Sequence, residues 1–159
     1  MTKVMFPGCF DPVTVGHLSV IERASRLFSE VHIAIVENQS TAKQLMWSIE
    51  ERTKFMQEAV SHIPKVRVHV FSGLLVHFLK QLQIPVIIRG VRSAVDWNYE
   101  SELFQVHQIL WPEIEMLGLP SLAQYGVVSS SFVREIWKLG GDISAMVPPK
   151  VLELMQESR

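Results

Sequence analysis

Val4-Met5-Phe6-Pro7-Gly8-Cys9-Phe10-Asp11-Pro12-Val13-Thr14-Val15-Gly16-His17 is the stretch that decides the fold. Its first three residues form a short apolar strand that Pro7-Gly8 ends. A loop follows, and Gly16-His17 opens a helical run over Leu18 to Phe28. There Leu18, Ile21, Ser25 and Phe28 share one side, with Glu22, Arg23 and Arg26 off it. Gly8 has no side chain to hold the backbone away from a ligand. A helix start presents unpaired N–H groups and the positive end of the helix dipole to an anion. A His at that point can donate a hydrogen bond to a phosphate oxygen. A plain Gly/Pro turn with a His near the helix start fits the local pattern equally well.

Working outward, short β-like runs alternate with longer helix-like ones. Val31 to Val36 is nearly all apolar, as expected of a strand covered on both faces. Ser48-Ile49-Glu50-Glu51 has the form of a capping box, and its helix is expected to run to about His62, with Pro64 beyond. Val66, Val68 and Val70 alternate with Arg67, His69 and Phe71 to give a third strand. Leu74 to Leu82 reads as a short helix, and Pro85 to Ile88 as a fourth strand with Arg89 directly after it. Trp97 to Leu110 reads as a helix, Ile114 to Leu119 as a fifth strand, and Ser129 to Leu139 as a helix ended by Gly140-Gly141. Pro148-Pro149 opens the last helix.

Strands alternating with helices predict an α/β fold: a doubly wound, five-stranded parallel sheet with helices on both faces. Residues 1–159 read as a single domain with a C-terminal helical segment, without repeats or linkers. Ligands of such sheets sit beyond the carboxyl ends of the strands, near a switch in strand order. The segments to inspect are therefore Pro7 to His17, Glu37 to Trp47, Ser72 to Leu74, Arg89 to Arg92 and Pro120 to Ser131.

Composition limits the function classes. The 159 residues are 48% hydrophobic and 19% charged, a balance that excludes a disordered chain. The formal net charge of −1 argues against coating nucleic acid or an anionic membrane through bulk charge. No run approaches the ~20 apolar residues of a membrane span. Met1 to Phe6 reaches Pro7-Gly8 before an apolar run of signal-peptide length. With Cys9 the only cysteine, no intrachain disulfide or Cys-rich zinc site is available, and a reducing cytoplasm is the expected location.

Gly8-x-Phe10-Asp11-Pro12-x-Thr14-x-Gly16-His17 after an N-terminal strand resembles the nucleotidyltransferase superfamily with the Thr/His-x-Gly-His signature. Over nearly the full length the chain resembles the phosphopantetheine adenylyltransferases. The supporting stretches occur in that family's order: Ser48-Ile49-Glu50-Glu51-Arg52, Ile88-Arg89-Gly90-Val91-Arg92, Asn98-Tyr99-Glu100 and Val128-Ser129-Ser130-Ser131. The resemblance implies a Rossmann-like nucleotidyltransferase fold. It further implies adenylyl transfer from ATP to 4′-phosphopantetheine with Mg²⁺, giving dephospho-coenzyme A and pyrophosphate in coenzyme A biosynthesis. A homohexamer is implied as well, with no nucleic acid or membrane partner and no protein-held metal.

By the same resemblance His17 is the catalytic residue, donating to the α-phosphate as charge builds there. Cys9, Lys43, Leu75 and Arg89 lie on the acceptor, Lys43 by alignment from the Glu50-Glu51-Arg52 anchor. Cys9, Phe10, His17, Gly90, Val91, Arg92 and Glu100 line the ATP, with Tyr125, Gly126, Val127, Val128, Ser129, Ser130 and Ser131 covering it. Taken alone, Arg89 and Arg92 read more readily as solvated turn residues and Glu100 as a solvated helix carboxylate, while the serines read equally as a helix cap.

The chain departs from the family's pattern at Cys9 (usually Thr), Val15 (Asn), Leu45 (Pro) and Gly73 (Asp). These positions touch the acceptor side more than the ATP side. Two rivals therefore stand beside the adenylyltransferase reading: a related nucleotidyltransferase with another phosphorylated acceptor, and a nucleotide-binding regulator without catalysis. The remaining histidines have no i, i+4 metal spacing.

Overall fold

A computed structural model describes residues 2–37 and 45–158. Five parallel strands form one sheet: β1 (Lys3–Gly8), β2 (Glu30–Val36), β3 (Val66–Phe71), β4 (Val86–Val91) and β5 (Glu115–Pro120), in the order β3-β2-β1-β4-β5. The connecting helices are α1 (Val15–Leu27), α2 (Ile49–Val60), α3 (Leu75–Leu82) and α4 (Ala94–Leu110). A 3₁₀ turn at Ala123–Tyr125 leads to α5 (Ser130–Lys138) and α6 (Pro149–Glu157). This is the doubly wound sheet the alternation predicts. No helix among the described residues is long and apolar enough to cross a membrane.

Alternate sheet residues feed two cores. Val4, Phe6, Ile33, Ile35 and Ile88 pack with residues of α1, α2, α5 and α6, including Ile21, Phe55, Trp137 and Val151. Met5, Ala34, Phe71 and Ile87 pack on the other face with Leu79 of α3, Ile84 and Ile114, and with Phe104 of α4 at the margin. The period-2 placement of apolar side chains in β1 and β2 thus serves both layers, which is why those strands read as continuous apolar runs.

Helix starts follow their caps. Ser48 Oγ accepts from Glu51 N while Glu51 Oε2 accepts from Ser48 N, so the expected capping box is present at α2. That helix ends at Val60, two residues short of His62. At α1 Thr14 takes the cap, and the helix begins at Val15, three residues ahead of the apolar periodicity.

The fourth strand departs from its expected bounds in the same way. Arg89, Gly90 and Val91 do not follow it but belong to it, paired with Gly118, Leu119 and Pro120 of β5. Neither Arg nor Gly favours a strand on its own; pairing along β5 overrides that local preference.

Strand order reverses direction at β1, and there the sheet is loosest. β1 pairs with β2 over six positions but meets β4 only at Met5↔Ile87. Beyond that pair, the carboxyl ends of β1 and β4 border the crevice expected of a topological switch point.

Candidate active site

A cavity of about 590 Å³ opens at this crevice, within the range of small-ligand sites. Its floor is Pro7, Gly8, Cys9 and Phe10 at the end of β1. One wall is Arg89 and Gly90 of β4, with Arg92, Asp96, Tyr99 and Glu100 leading into and along α4. The opposite wall is Tyr125 and Val128 to Ser131 at the start of α5, with Arg134 one turn on. His17 on α1 lies between them, in the same cavity.

The capping geometry fixes the His17 ring. Thr14 Oγ1 accepts from His17 N at 3.3 Å, and His17 Nδ1 accepts from Thr14 N at 3.1 Å. Nδ1 therefore holds a lone pair toward a backbone donor, which places the proton of the neutral ring on Nε2. Phe10 braces the ring edge-on, with centroids 5.0 Å apart, and is itself packed edge-on against Phe6. Phe10 is 3% exposed and takes a left-handed φ of 48°. The missing Cβ of Gly8 makes room for it, since a Cβ there would meet the Phe10 ring at 3.1 Å.

Burial, with the positive fields of Arg89 and Arg92, lowers the His17 pKa from 6.5 to about 4. His17 is thus a neutral hydrogen-bond donor near pH 7 rather than an acid or a cation. Between about pH 4 and 6.5 the unfolded chain binds more protons at this residue than the folded one, so the His17 contribution to stability is complete above 6.5 and drains away as pH falls toward 4. The expected result is that the Tm of the wild type minus that of His17→Gln declines as pH is lowered through this window. A difference independent of pH from 7 to 4 would contradict the neutral, proton-excluding ring.

The three guanidinium groups of the cavity are each held by a carboxylate. Arg89 Nη2 donates to Glu100 Oε1 at 2.6 Å, and its Nη1 donates to the Pro7 carbonyl across the opening between β1 and β4. Arg92 Nε lies 3.4 Å from Asp96 Oδ2, which also accepts from Arg92 N. Arg134 Nη1 donates to the Asp11 carbonyl at 2.7 Å and lies 3.6 Å from the Asp11 carboxylate. A guanidinium carries five N–H donors in a rigid fork. The carboxylates fix the planes of these forks while leaving further donors on each, so the cavity offers oriented hydrogen bonds more than excess charge.

The serines act partly as caps and partly as ties. Ser129 Oγ caps α5 by accepting from Phe132 N, Ser130 Oγ donates to the Pro12 carbonyl at 2.8 Å, and Ser131 Oγ accepts from Arg134 Nη2. With Phe132 N capped, the N–H groups of Ser130 and Ser131 at the helix start remain for an anion.

Of the residues the sequence singled out, the cavity brings together Cys9, Phe10, His17, Arg89, Gly90, Arg92, Glu100, Tyr125, Val128, Ser129, Ser130 and Ser131. Val91, Gly126 and Val127 are absent from its lining; Val127 is 79% exposed. Leu75, first residue of α3, packs at the margin of the second core and does not line the cavity. Lys43 lies outside the described residues. Thr14, Asp11, Asp96 and Arg134 add to the site. Thr14 was legible as a Thr three residues before His17, the spacing of a reciprocal cap. Arg134 was legible from its helical offset from Ser130 and Ser131. Among the described residues no group of three or more His, Cys, Asp or Glu could hold a metal ion.

A parallel sheet with a switch-point cavity, a helix-start His and oriented guanidinium forks is an arrangement suited to nucleotidyl transfer. A family model described as Cytidylyltransferase-like matches residues 5–136. A solved structure from Vibrio parahaemolyticus, provisionally assigned as a nicotinate-nucleotide adenylyltransferase, superposes with a TM-score of 0.76 over 99% of this chain and 93% of its own. At 20% identity it supports the fold alone.

Curated relatives narrow the class. The phosphopantetheine adenylyltransferase of Mannheimia succiniciproducens is 42% identical over 99% of this chain and 98% of its own. That of Heliobacterium modesticaldum is 40% identical over 99% and 92%, and that of Thermosynechococcus vestitus 42% identical over 92% and 86%. The chain belongs to the phosphopantetheine adenylyltransferase family.

Proposed function

We propose that this protein transfers the adenylyl group of ATP to 4′-phosphopantetheine, releasing pyrophosphate and forming dephospho-coenzyme A in coenzyme A biosynthesis. The observation that carries the reading is the convergence of His17, Arg89, Arg92 and the α5 start on one cavity, in a chain with family relatives of matching length. A phosphate oxygen of the acceptor attacks the α-phosphorus; the new P–O bond forms as the bond from that phosphorus to the β-phosphate bridging oxygen breaks. Two anions must be aligned, so the site needs positioned donors more than a base.

His17 donates Nε2–H to the α-phosphate oxygens, where negative charge concentrates in the transition state. Arg92, Glu100, Tyr125 and residues 128–131 hold the nucleotide, with the N–H groups of Ser130 and Ser131 on its phosphates. Arg89 and Lys43 hold the acceptor phosphate beside Cys9, with Leu75 further along the acceptor. Phe10 acts by bracing His17, and the Gly90 backbone lets the nucleotide approach β4.

Mg²⁺ enters on the triphosphate as part of the substrate and offsets its charge. The working assembly is a homohexamer in the cytoplasm. An apolar helix surface supports self-association: α4 has no buried residue, and Val95, Val106 and Ile109 on it are exposed.

Pyrophosphate release tests the assignment. ATP with 4′-phosphopantetheine is expected to turn over, and CTP or other phosphorylated acceptors to give at most traces. Turnover with a different acceptor points to the related-transferase reading that Cys9 and Gly73 leave open. ATP binding without pyrophosphate from any acceptor would overturn the enzyme assignment.

A further inference from the structure

Arg52 on α2 is 1% exposed and does not line the cavity. Its Nε donates to the Trp47 carbonyl at 3.2 Å. Its Nη1 donates to the carbonyls of Cys9 at 2.7 Å and Val36 at 2.9 Å, and its Nη2 to that of Glu37 at 3.0 Å. One cation thus ties the end of β1, the end of β2 and the approach to α2. Asp11, 2% exposed, works from the opposite polarity: Oδ2 accepts from Met46 N at 2.9 Å and Oδ1 from Trp47 N at 3.0 Å. The stretch Leu45–Trp47 is held through its N–H groups by a buried carboxylate and through its last carbonyl by a buried guanidinium. Both ends of this arrangement reach the cavity, since Cys9 and Leu45 line it.

A buried charge adds little net stability over an apolar side chain of similar volume. What the planar fork offers instead is geometry: several carbonyls fixed in one plane at set distances, which neither an apolar side chain nor a Lys reproduces. Three of the four carbonyls, those of Cys9, Val36 and Glu37, lie at the carboxyl ends of β1 and β2, and Cys9 lines the cavity of the proposed transfer.

We propose that Arg52 is a positioning residue of the reaction, setting the cavity floor at Cys9 and the seat of Leu45–Trp47 against it, and thereby the alignment of the acceptor phosphate. The inference rests on the adenylyl-transfer reading above. Arg52 acts through backbone carbonyls and touches neither substrate.

Arg52→Lys keeps the charge and loses the fork. At a temperature where circular dichroism shows it fully folded, kcat/KM for 4′-phosphopantetheine is expected to fall about 100-fold, with KM for ATP within about twofold of wild type. A folded variant with unaltered constants, or with both KM values raised alike, overturns the inference, because a merely structural role lowers Tm without that split. Hydrogen exchange on the unaltered protein tests the same point if the variant does not fold. The Met46 and Trp47 amides are expected to exchange more slowly with 4′-phosphopantetheine bound and to be unmoved by ATP alone; exchange indifferent to the acceptor overturns it. Wild-type protein that releases no pyrophosphate with this acceptor sinks the functional reading as well. An active wild type beside an unimpaired Arg52→Lys sinks only this inference.

Discussion

Replacing His17 with alanine is expected to lower kcat by about 100- to 1,000-fold, the typical cost of removing one preorganised donor to a developing oxyanion. KM for ATP is expected to stay within about threefold, because the donor acts chiefly where charge develops in the transition state. The ring is fixed in place before any ligand arrives. Thr14 N occupies Nδ1, Phe10 packs against the ring, and the depressed pKa keeps it neutral. The loss should therefore not depend on pH between 6.5 and 8, as it would if an ionised imidazole were the active form. His17→Gln presents a neutral N–H donor near the position of Nε2 and is expected to recover part of the rate. Steady-state kinetics on both variants checks this; near-normal turnover in His17→Ala would remove the imidazole from the mechanism.

The second large effect is expected at Arg89. Removing its guanidinium takes away the proposed ligand of the acceptor phosphate and also leaves the Glu100 carboxylate, 12% exposed, facing the cavity without its 2.6 Å partner. That charge repels both anionic substrates. Truncating one member of a desolvated, hydrogen-bonded charge pair typically costs about 2–5 kcal/mol. The expected fall in kcat/KM for the acceptor with Arg89→Met is therefore roughly 100- to 1,000-fold. Adding Glu100→Gln removes the stranded charge and should restore part of the loss, so the double variant is expected to outperform Arg89→Met alone. A double variant as poor as the product of the two single effects would mean that the residues act independently, against the ion pair observed.

Much of the fold could be read from local pattern, because each strand and helix announces itself within a few residues. The apolar runs of β1 and β2, the Val66-Val68-Val70 alternation and the Ser48–Glu51 cap are all local signals, and all stand in the structure. The bounds of β4 were not legible, because Arg89 and Gly90 join it through pairing with β5, nearly thirty residues on.

The site divides along the same line. His17 and the Ser129–Ser131 start of α5 carry signals in adjacent residues. The carboxylate partners do not, except for Asp96, four residues from Arg92. Arg134 reaches Asp11 across 123 positions, and no spacing rule connects them. Arg52 stands in a helix first turn where a solvated side chain is the ordinary outcome. Only the assembled strand ends show it buried among four carbonyls.

The central claim is spatial: the α-phosphorus of the nucleotide lies against His17, within reach of Arg92 and the start of α5. A crystal structure with a non-hydrolysable ATP analogue tests it most directly. An α-phosphate oxygen is expected about 3 Å from His17 Nε2, with the remaining phosphates on the Ser130 and Ser131 amides. A triphosphate bound elsewhere, or seated in this cavity with its α-phosphate turned away from the imidazole, would contradict the account.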